Sequence, residues 1–398
     1  MEIHIAIIFL IFGLQKLKAE IINYRLPFVK AAALDGYKAE THQVTTDDGY
    51  ILTMHRIPSA KNSSKINKYP VFMVPGMTAV SDCFILLGNA SIAYTLVENG
   101  YDVWLTNPRG NKHSQKHVKY NAMEDKEYWN YTIHEMGHYD IASFVDYIRN
   151  VTKKDKISGM GHSQGTTLIF LLLSSRPDYN DKLNIFVALA PSVYLNDSLI
   201  SVMKIVGKYS NFFDHMIREV LNIHFLPRSL FEGMETVCNS GPAFFSLCRA
   251  LIAGFCDNLD YGVNLDRIYD FKIFNLAFSH MPSELCIKMV MHYFQMIDSG
   301  NFCKFDYGQL QNTQMYGSST PPRYDIKKIT IPVGLIFARH DLLIPLSGVH
   351  RISKELKNPI PYEMKNKNYR HVFYLFSKHV KKIYPFLLRI LRENTLME

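Results

Sequence analysis

A chain of 398 residues has room for one large domain carrying an insertion, or for two domains. Hydrophobic residues make up 47%, aromatics 13% and charged residues only 20%, which excludes disorder for most of the length. The net charge of +8 comes from scattered clusters such as Lys153, Lys154 and Lys156 or Lys378, Lys381 and Lys382, the pattern of a solvated face; no nucleic-acid partner is expected.

Residues 3–14 form the only long apolar run, too short to cross a bilayer, so no transmembrane segment is expected. Followed by the polar residues 15–18 and Ala19, the run fits a secretory signal cleaved after Ala19, with a buried helix as the alternative. Five acceptors of the N-x-[ST] type, Asn62, Asn89, Asn130, Asn150 and Asn196, support export and glycosylation. Six cysteines are present and no Cys-x-x-Cys pair, which speaks against a zinc or redox motif. Five of them lie between residues 238 and 303, so an excursion there is expected to be braced by at least one disulfide.

Strand-like runs alternate with helical patterns, the signature of an α/β fold with a largely parallel sheet. Residues 71–74 and 102–105 read as buried strands. Ile141, Phe144, Val145 and Ile148 fall at i, i+3, i+4 and i+7, one apolar face of a helix. Residues 185–189 and 333–337 are two further strands, flanked by Pro191 and Pro332. Between them, over residues 195–320, strand alternation gives way to helical stripes such as Phe212, Phe213, Met216, Ile217, Val220 and Leu221, which predicts an inserted, mainly helical region.

Gly161-His162-Ser163-Gln164-Gly165 lies between a strand-like run (157–160) and a helix-like run (166–173). By chance a Gly-x-Ser-x-Gly pentapeptide turns up roughly 0.1 times in a chain of this length, so the strand–turn–helix context carries the inference. A nucleophile elbow needs small residues on both sides of the serine, and the amide of Gln164 is placed to donate to a developing oxyanion. Gly159 is a poor strand residue and leaves a plain glycine-rich connection as the alternative. A serine nucleophile also needs a base and an orienting carboxylate, in the order Ser, acid, His for this fold. Asp341 follows the strand at 333–337, and His371 follows an extended segment at 360–364. Each alone reads equally as a helix cap or a structural histidine; the order after the elbow makes them the acid and the base. His340, beside the acid, is expected to be peripheral.

Longer segments carry a resemblance. Glu40-Thr41-His42-Gln43-Val44-Thr45-Thr46-Asp47-Asp48-Gly49-Tyr50-Ile51-Leu52, Arg56-Ile57-Pro58, Gly100-Tyr101-Asp102-Val103-Trp104-Leu105, Arg109-Gly110-Asn111, residues 161–167 and Ala190-Pro191 together resemble the acid lipase family of gastric and lysosomal lipases. The resemblance implies an α/β-hydrolase fold with a helical cap inserted late in the sheet: a signal peptide at 1–19, the core in two parts at 20–194 and 321–398, and the cap at 195–320. It implies Ser163 as nucleophile, Asp341 as acid, His371 as base, the Met77 and Gln164 amides as oxyanion hole, and a cap disulfide between Cys238 and Cys248. The implied substrate is a neutral lipid ester met at a lipid–water interface by a secreted or lysosomal enzyme, without metal or cofactor. Three positions depart from the family pattern: Pro75 replaces a histidine before Gly76, Phe373 replaces an aspartate, and His340 replaces an asparagine. They keep open a weakly active lipid-binding protein, or a hydrolase of small esters or thioesters. Eight of the 17 methionines fall in the cap region, which suits acyl-chain contact as well as ordinary packing.

Overall fold

The expected strands enter one sheet. The computed structural model of the protein describes residues 26–63, 65–197, 201–231 and 267–395. In chain order the strands are β1 (Glu40–Thr45), β2 (Tyr50–Ile57), β3 (Tyr69–Val74), β4 (Tyr101–Asn107), β5 (Lys116–His117), β6 (Ile157–His162), β7 (Leu183–Leu189), β8 (Phe225–Leu226), β9 (Leu285–Cys286), β10 (Val333–Ala338) and β11 (Pro359–Met364). The main sheet runs β1-β2-β4-β3-β6-β7-β10-β11, with β5 beside β2. Pairing is antiparallel among β1, β2 and β4 and parallel from β4 through to β11.

Every residue of β4, β6 and β10 is buried, as parallel strands covered on both faces must be. Edge strand β1 has no buried residue. Gly159 has a packing reason: a Cβ there would come within 2.8 Å of the Phe72 ring, which reaches across from β3. The helix predicted from Ile141 onward is Ala142–Thr152, entered through a π-helical turn at Met136–Ile141. The helix after the pentapeptide, Gln164–Ser175, is buried over all but its last residue, so its apolar character all round matches its place inside the fold.

From β3 the chain turns one way to β4, and the next long strand, β6, lies on the other side of β3. The carboxyl ends of β3 and β6 therefore flank a topological switch point, where open α/β sheets leave a crevice.

The described part of residues 195–320 is mostly helical, with helices at Ser201–Lys208, Ser210–Asp214, Phe271–His280, Ile287–Ser299 and Gln309–Tyr316. Sequence patterning missed the short β8–β9 ladder. It also overstated the stripe from Phe212 to Leu221. Phe213 and Ile217 pack against Ile287, Met291 and Phe305, whereas Phe212, Val220 and Leu221 are exposed. A π-helical turn at His215–Val220 breaks the α-helical period within the stripe. Among the described residues no helix is long and apolar enough to cross a membrane. The expected signal segment 1–19 and the pair Cys238 and Cys248 lie outside the described residues; Cys83, Cys286 and Cys303 are buried free thiols.

Candidate active site

Ser163 sits on the turn between β6 and the helix Gln164–Ser175 with φ 50 and ψ −119, a conformation that costs a side-chain-bearing residue energy and turns the hydroxyl out of the sheet. The turn is held by the Ser163 amide on the Leu189 carbonyl (3.0 Å) and by the Thr166 amide and hydroxyl on the Ser163 carbonyl (2.8 and 2.7 Å). The two glycines are sterically required. A Cβ at Gly161 would meet the backbone of Gly165 at 2.5 Å, and one at Gly165 would meet the Val74 carbonyl oxygen at 2.2 Å.

Asp341 follows β10, with its amide on the Ala338 carbonyl. Its Oδ1 accepts from the Leu343 and Ile344 amides, both at 3.0 Å, and its Oδ2 accepts from Nδ1 of His371 at 2.9 Å. With the proton on Nδ1, the bare Nε2 of His371 accepts from the Ser163 hydroxyl at 2.8 Å. Acid and base are buried while Ser163 is half-buried, so the chain of hydrogen bonds runs from the interior out to the crevice. Ser163, His371 and Asp341, expected from three separate segments, meet in the order Ser–His–Asp. His340 instead presents its carbonyl to the Arg370 guanidinium, with its ring half-exposed.

Beyond β3 the chain passes Pro75, Gly76 and Met77 to Thr78, which has φ 60. A Cβ on Gly76 would lie 3.1 Å from Nδ1 of His162 and 3.3 Å from Cβ of Ser163, so this loop rests directly on the elbow. Gln164 opens its helix, where the first amides have no intrahelical acceptor and the helix dipole is positive. The expected donors Met77 and Gln164 thus lie on two loops that meet at Ser163. Phe373 is fully buried and packs tilted against Tyr369 at 4.0 Å between ring centres, an apolar site with no place for a carboxylate.

The cap closes over this region. The Ser283 amide donates to the Thr78 carbonyl (2.8 Å), the Lys112 amide to the Ser283 hydroxyl (2.7 Å), and the Gln164 side-chain amide lies 2.9 Å from the Met289 sulfur. A cavity of about 30 Å³ remains between Gly76, Thr78, Gln164, Glu284 and Met289, room for about one water-sized molecule. Of the other cap methionines, Met296 is fully buried in the core and Met315 is exposed. A larger cavity, about 350 Å³, opens at the opposite end of the sheet, beside Arg56 and Asp102, which satisfy each other.

Two features left no mark in the sequence. Asp82, just past the loop after β3, is buried between His113 Nε2 (2.7 Å) and Nδ1 of His280 (2.9 Å), the last residue of a cap helix. Burial alone would raise its carboxyl, but the hydrogen bonds from His113 and His280 and the charge of Lys112 hold it well below the usual carboxylate range. The other is His162, whose Nε2 lies 3.0 Å from the His371 carbonyl. Of the five glycan acceptors, Asn62, Asn89, Asn130 and Asn150 are exposed and Asn196 is half-buried. Among the described residues, no group of three or more His, Cys, Asp or Glu side chains is arranged to hold a metal ion.

Comparison with known proteins agrees with the architecture. Residues 28–88 match the family model for a partial alpha/beta-hydrolase lipase region, and residues 69–229 match that of the alpha/beta hydrolase fold. The chain is 33% identical over 366 residues to Lipase 1 of Drosophila melanogaster, covering 91% of this chain and 79% of that one. It is 31% identical over 365 residues to the gastric triacylglycerol lipase of Rattus norvegicus, covering 90% of each. To the lysosomal acid lipase/cholesteryl ester hydrolase of Homo sapiens it is 29% identical over 334 residues, covering 82% and 81%. Among solved structures, the alpha/beta hydrolase GrgF from Penicillium sp. sh18 superposes with a TM-score of 0.52 at 13% identity, over 90% of this chain and 99% of that one, a likeness of fold. With this fold, a strained serine between two required glycines, and relatives that match over nearly its full length, the chain belongs to the acid lipase family of α/β-hydrolases.

Proposed function

We propose that this protein hydrolyses neutral lipid esters, triacylglycerol or sterol ester, through a serine acyl-enzyme in the secretory or lysosomal compartment. The observation that carries the reading is the continuous path from Ser163 through His371 to Asp341, at 2.8 and 2.9 Å, on an elbow whose glycines admit no side chain.

Ser163 Oγ attacks the ester carbonyl carbon as its proton passes to Nε2 of His371. Asp341 stays ionised and stabilises the imidazolium through Nδ1–H. The carbonyl oxygen becomes an oxyanion between the Met77 and Gln164 amides, which donate from the backbone and so are indifferent to Pro75 lacking an imidazole. Collapse breaks the bond to the alcohol, which leaves with the proton from Nε2. Water, deprotonated by the same nitrogen, then attacks the acyl-enzyme; the acid departs and Ser163 regains its proton.

The names of the relatives supply the two substrate classes. A second reading is hydrolysis of short esters. Rates on esters of rising acyl length, on emulsified triacylglycerol and on sterol ester, from acid to neutral pH and beside Ser163→Ala, separate them. Activity that rises with chain length and disappears in Ser163→Ala supports the lipase. Activity confined to short esters supports the second reading, and no turnover of any ester leaves a lipid-binding protein. Glycans at the exposed acceptors would show as a mobility shift on enzymatic deglycosylation.

A further inference from the structure

The residue before the nucleophile ends β6 and is fully buried, yet it is a histidine where an apolar side chain would complete the strand. A carbonyl oxygen only accepts, so Nε2 of His162 must donate to the His371 carbonyl that lies 3.0 Å from it. The ring therefore carries its proton on Nε2 and a bare nitrogen at Nδ1. That nitrogen is buried, receives no hydrogen bond from the described residues, and faces the backbone of Gly76. Desolvation first, and the neighbouring His371 second, push the imidazole down to about 3, so it stays uncharged while the enzyme works. Its centre is 5.2 Å from the ring of His371 and 5.7 Å from that of Tyr374.

One residue thus touches all three loops of the site. It is covalently joined to the serine, hydrogen-bonded to the backbone of the base, and in contact with the glycine of the oxyanion loop. The Ser163–His371 hydrogen bond joins residues 208 positions apart in the chain, and its length depends on where the loop after β11 is pinned. We propose that His162 is a positioning residue of the hydrolytic reaction: through its Nε2–H it anchors the backbone of His371 and sets the separation of base and nucleophile. The proposal rests on the acyl-enzyme reading above.

Three variants separate the donor from mere packing. His162→Gln places an amide nitrogen near the position of Nε2, His162→Asn keeps an amide but falls short of the carbonyl, and His162→Met fills the space with no donor. The readouts are the second-order rate of Ser163 labelling by a fluorophosphonate and the kcat and KM of ester turnover, on proteins whose thermal unfolding shows them folded. A displacement of about 1 Å between reacting groups costs about 100-fold, so His162→Met and His162→Asn are expected to lower labelling rate and kcat by roughly 10- to 100-fold, with KM within about twofold because no substrate contact is lost. His162→Gln is expected to recover to within about threefold of the parent. If His162→Met does not fold, the Gln and Asn variants decide. Equal rates in those two, or a Met variant as fast as the parent, would overturn the proposal. A parent protein in which Ser163 does not react at all would refute the acyl-enzyme reading itself, an outcome distinct from a reactive Ser163 that is insensitive to residue 162.

Discussion

The elbow at Ser163 and the cap segment from His280 to Met289 meet where Gln164 touches Met289, but they are fixed by different physics. The elbow is set by backbone packed on backbone: Gly165 and Gly161 approach other main chains so closely that a single methyl has nowhere to go. The cap edge is held by contacts made one at a time: the Ser283 amide on Thr78, the Ser283 hydroxyl under Lys112, the Met289 sulfur against Gln164, and the Asp82 carboxylate between His113 and His280. The first arrangement keeps reacting atoms in place. The second consists of single contacts, each of which one substitution can remove.

Changes on the elbow side carry the largest expected effects. Ser163→Ala and His371→Ala should each lower ester turnover by more than about 10³-fold, since members of such a unit are not additive, while the proteins remain folded. His340→Asn should keep most of the activity, because the carbonyl that receives Arg370 survives the change; a dead His340→Asn beside an active His371→Ala would reverse the assignment of the base. Gly165→Ala drives a methyl into the Val74 carbonyl, so helix and strand must part, at a cost of about 3 kcal/mol that urea denaturation would read. Normal stability and rate in that variant would mean the elbow is not as tightly determined as its geometry states.

On the cap side the Asp82 carboxylate comes next. Asp82→Ala leaves two imidazoles and Lys112 around an empty buried site and should cost about 3 kcal/mol near pH 6. The sign of its pH dependence follows from the depressed carboxyl. Ionised in the folded protein at pH values where the unfolded chain takes up a proton, Asp82 stabilises fully above about pH 4, near its unfolded pKa. The stabilisation is lost only as pH falls below that, toward the folded value. The gap between parent and variant, followed by denaturation from pH 6 down to 2, should therefore persist at pH 5 and shrink at the acid end; a gap already gone at pH 5 would refute the assignment. The smallest effect belongs to Met289→Leu, a swap of similar volume, expected to cost less than about 1.5 kcal/mol and to change turnover by less than about threefold.

How much the sequence disclosed follows the same division. The elbow was legible because its demands are local: small residues flanking a serine, an apolar run before it and another after it. Asp341 and His371 were legible through chain order, Asp341 just past an apolar strand run and His371 beyond the extended segment 360–364. Contacts between remote segments without periodicity were not legible. His162 meets a carbonyl 209 positions away, and Asp82 joins residues from two other segments, so neither leaves a local pattern. The stripe from Phe212 to Leu221 failed for a related reason. Apolar spacing marks a helix, but it does not say which of its positions find a partner, and here Phe213 and Ile217 do while Phe212, Val220 and Leu221 are exposed.

The central claim is that Ser163 is an activated nucleophile, and covalent labelling tests it without any choice of substrate. The purified protein, treated with a fluorophosphonate and digested, should carry the adduct on the peptide containing Ser163 and on no other serine, with labelling abolished in Ser163→Ala and strongly slowed in His371→Ala. An adduct at another serine, or labelling that persists unchanged in Ser163→Ala, would contradict the account.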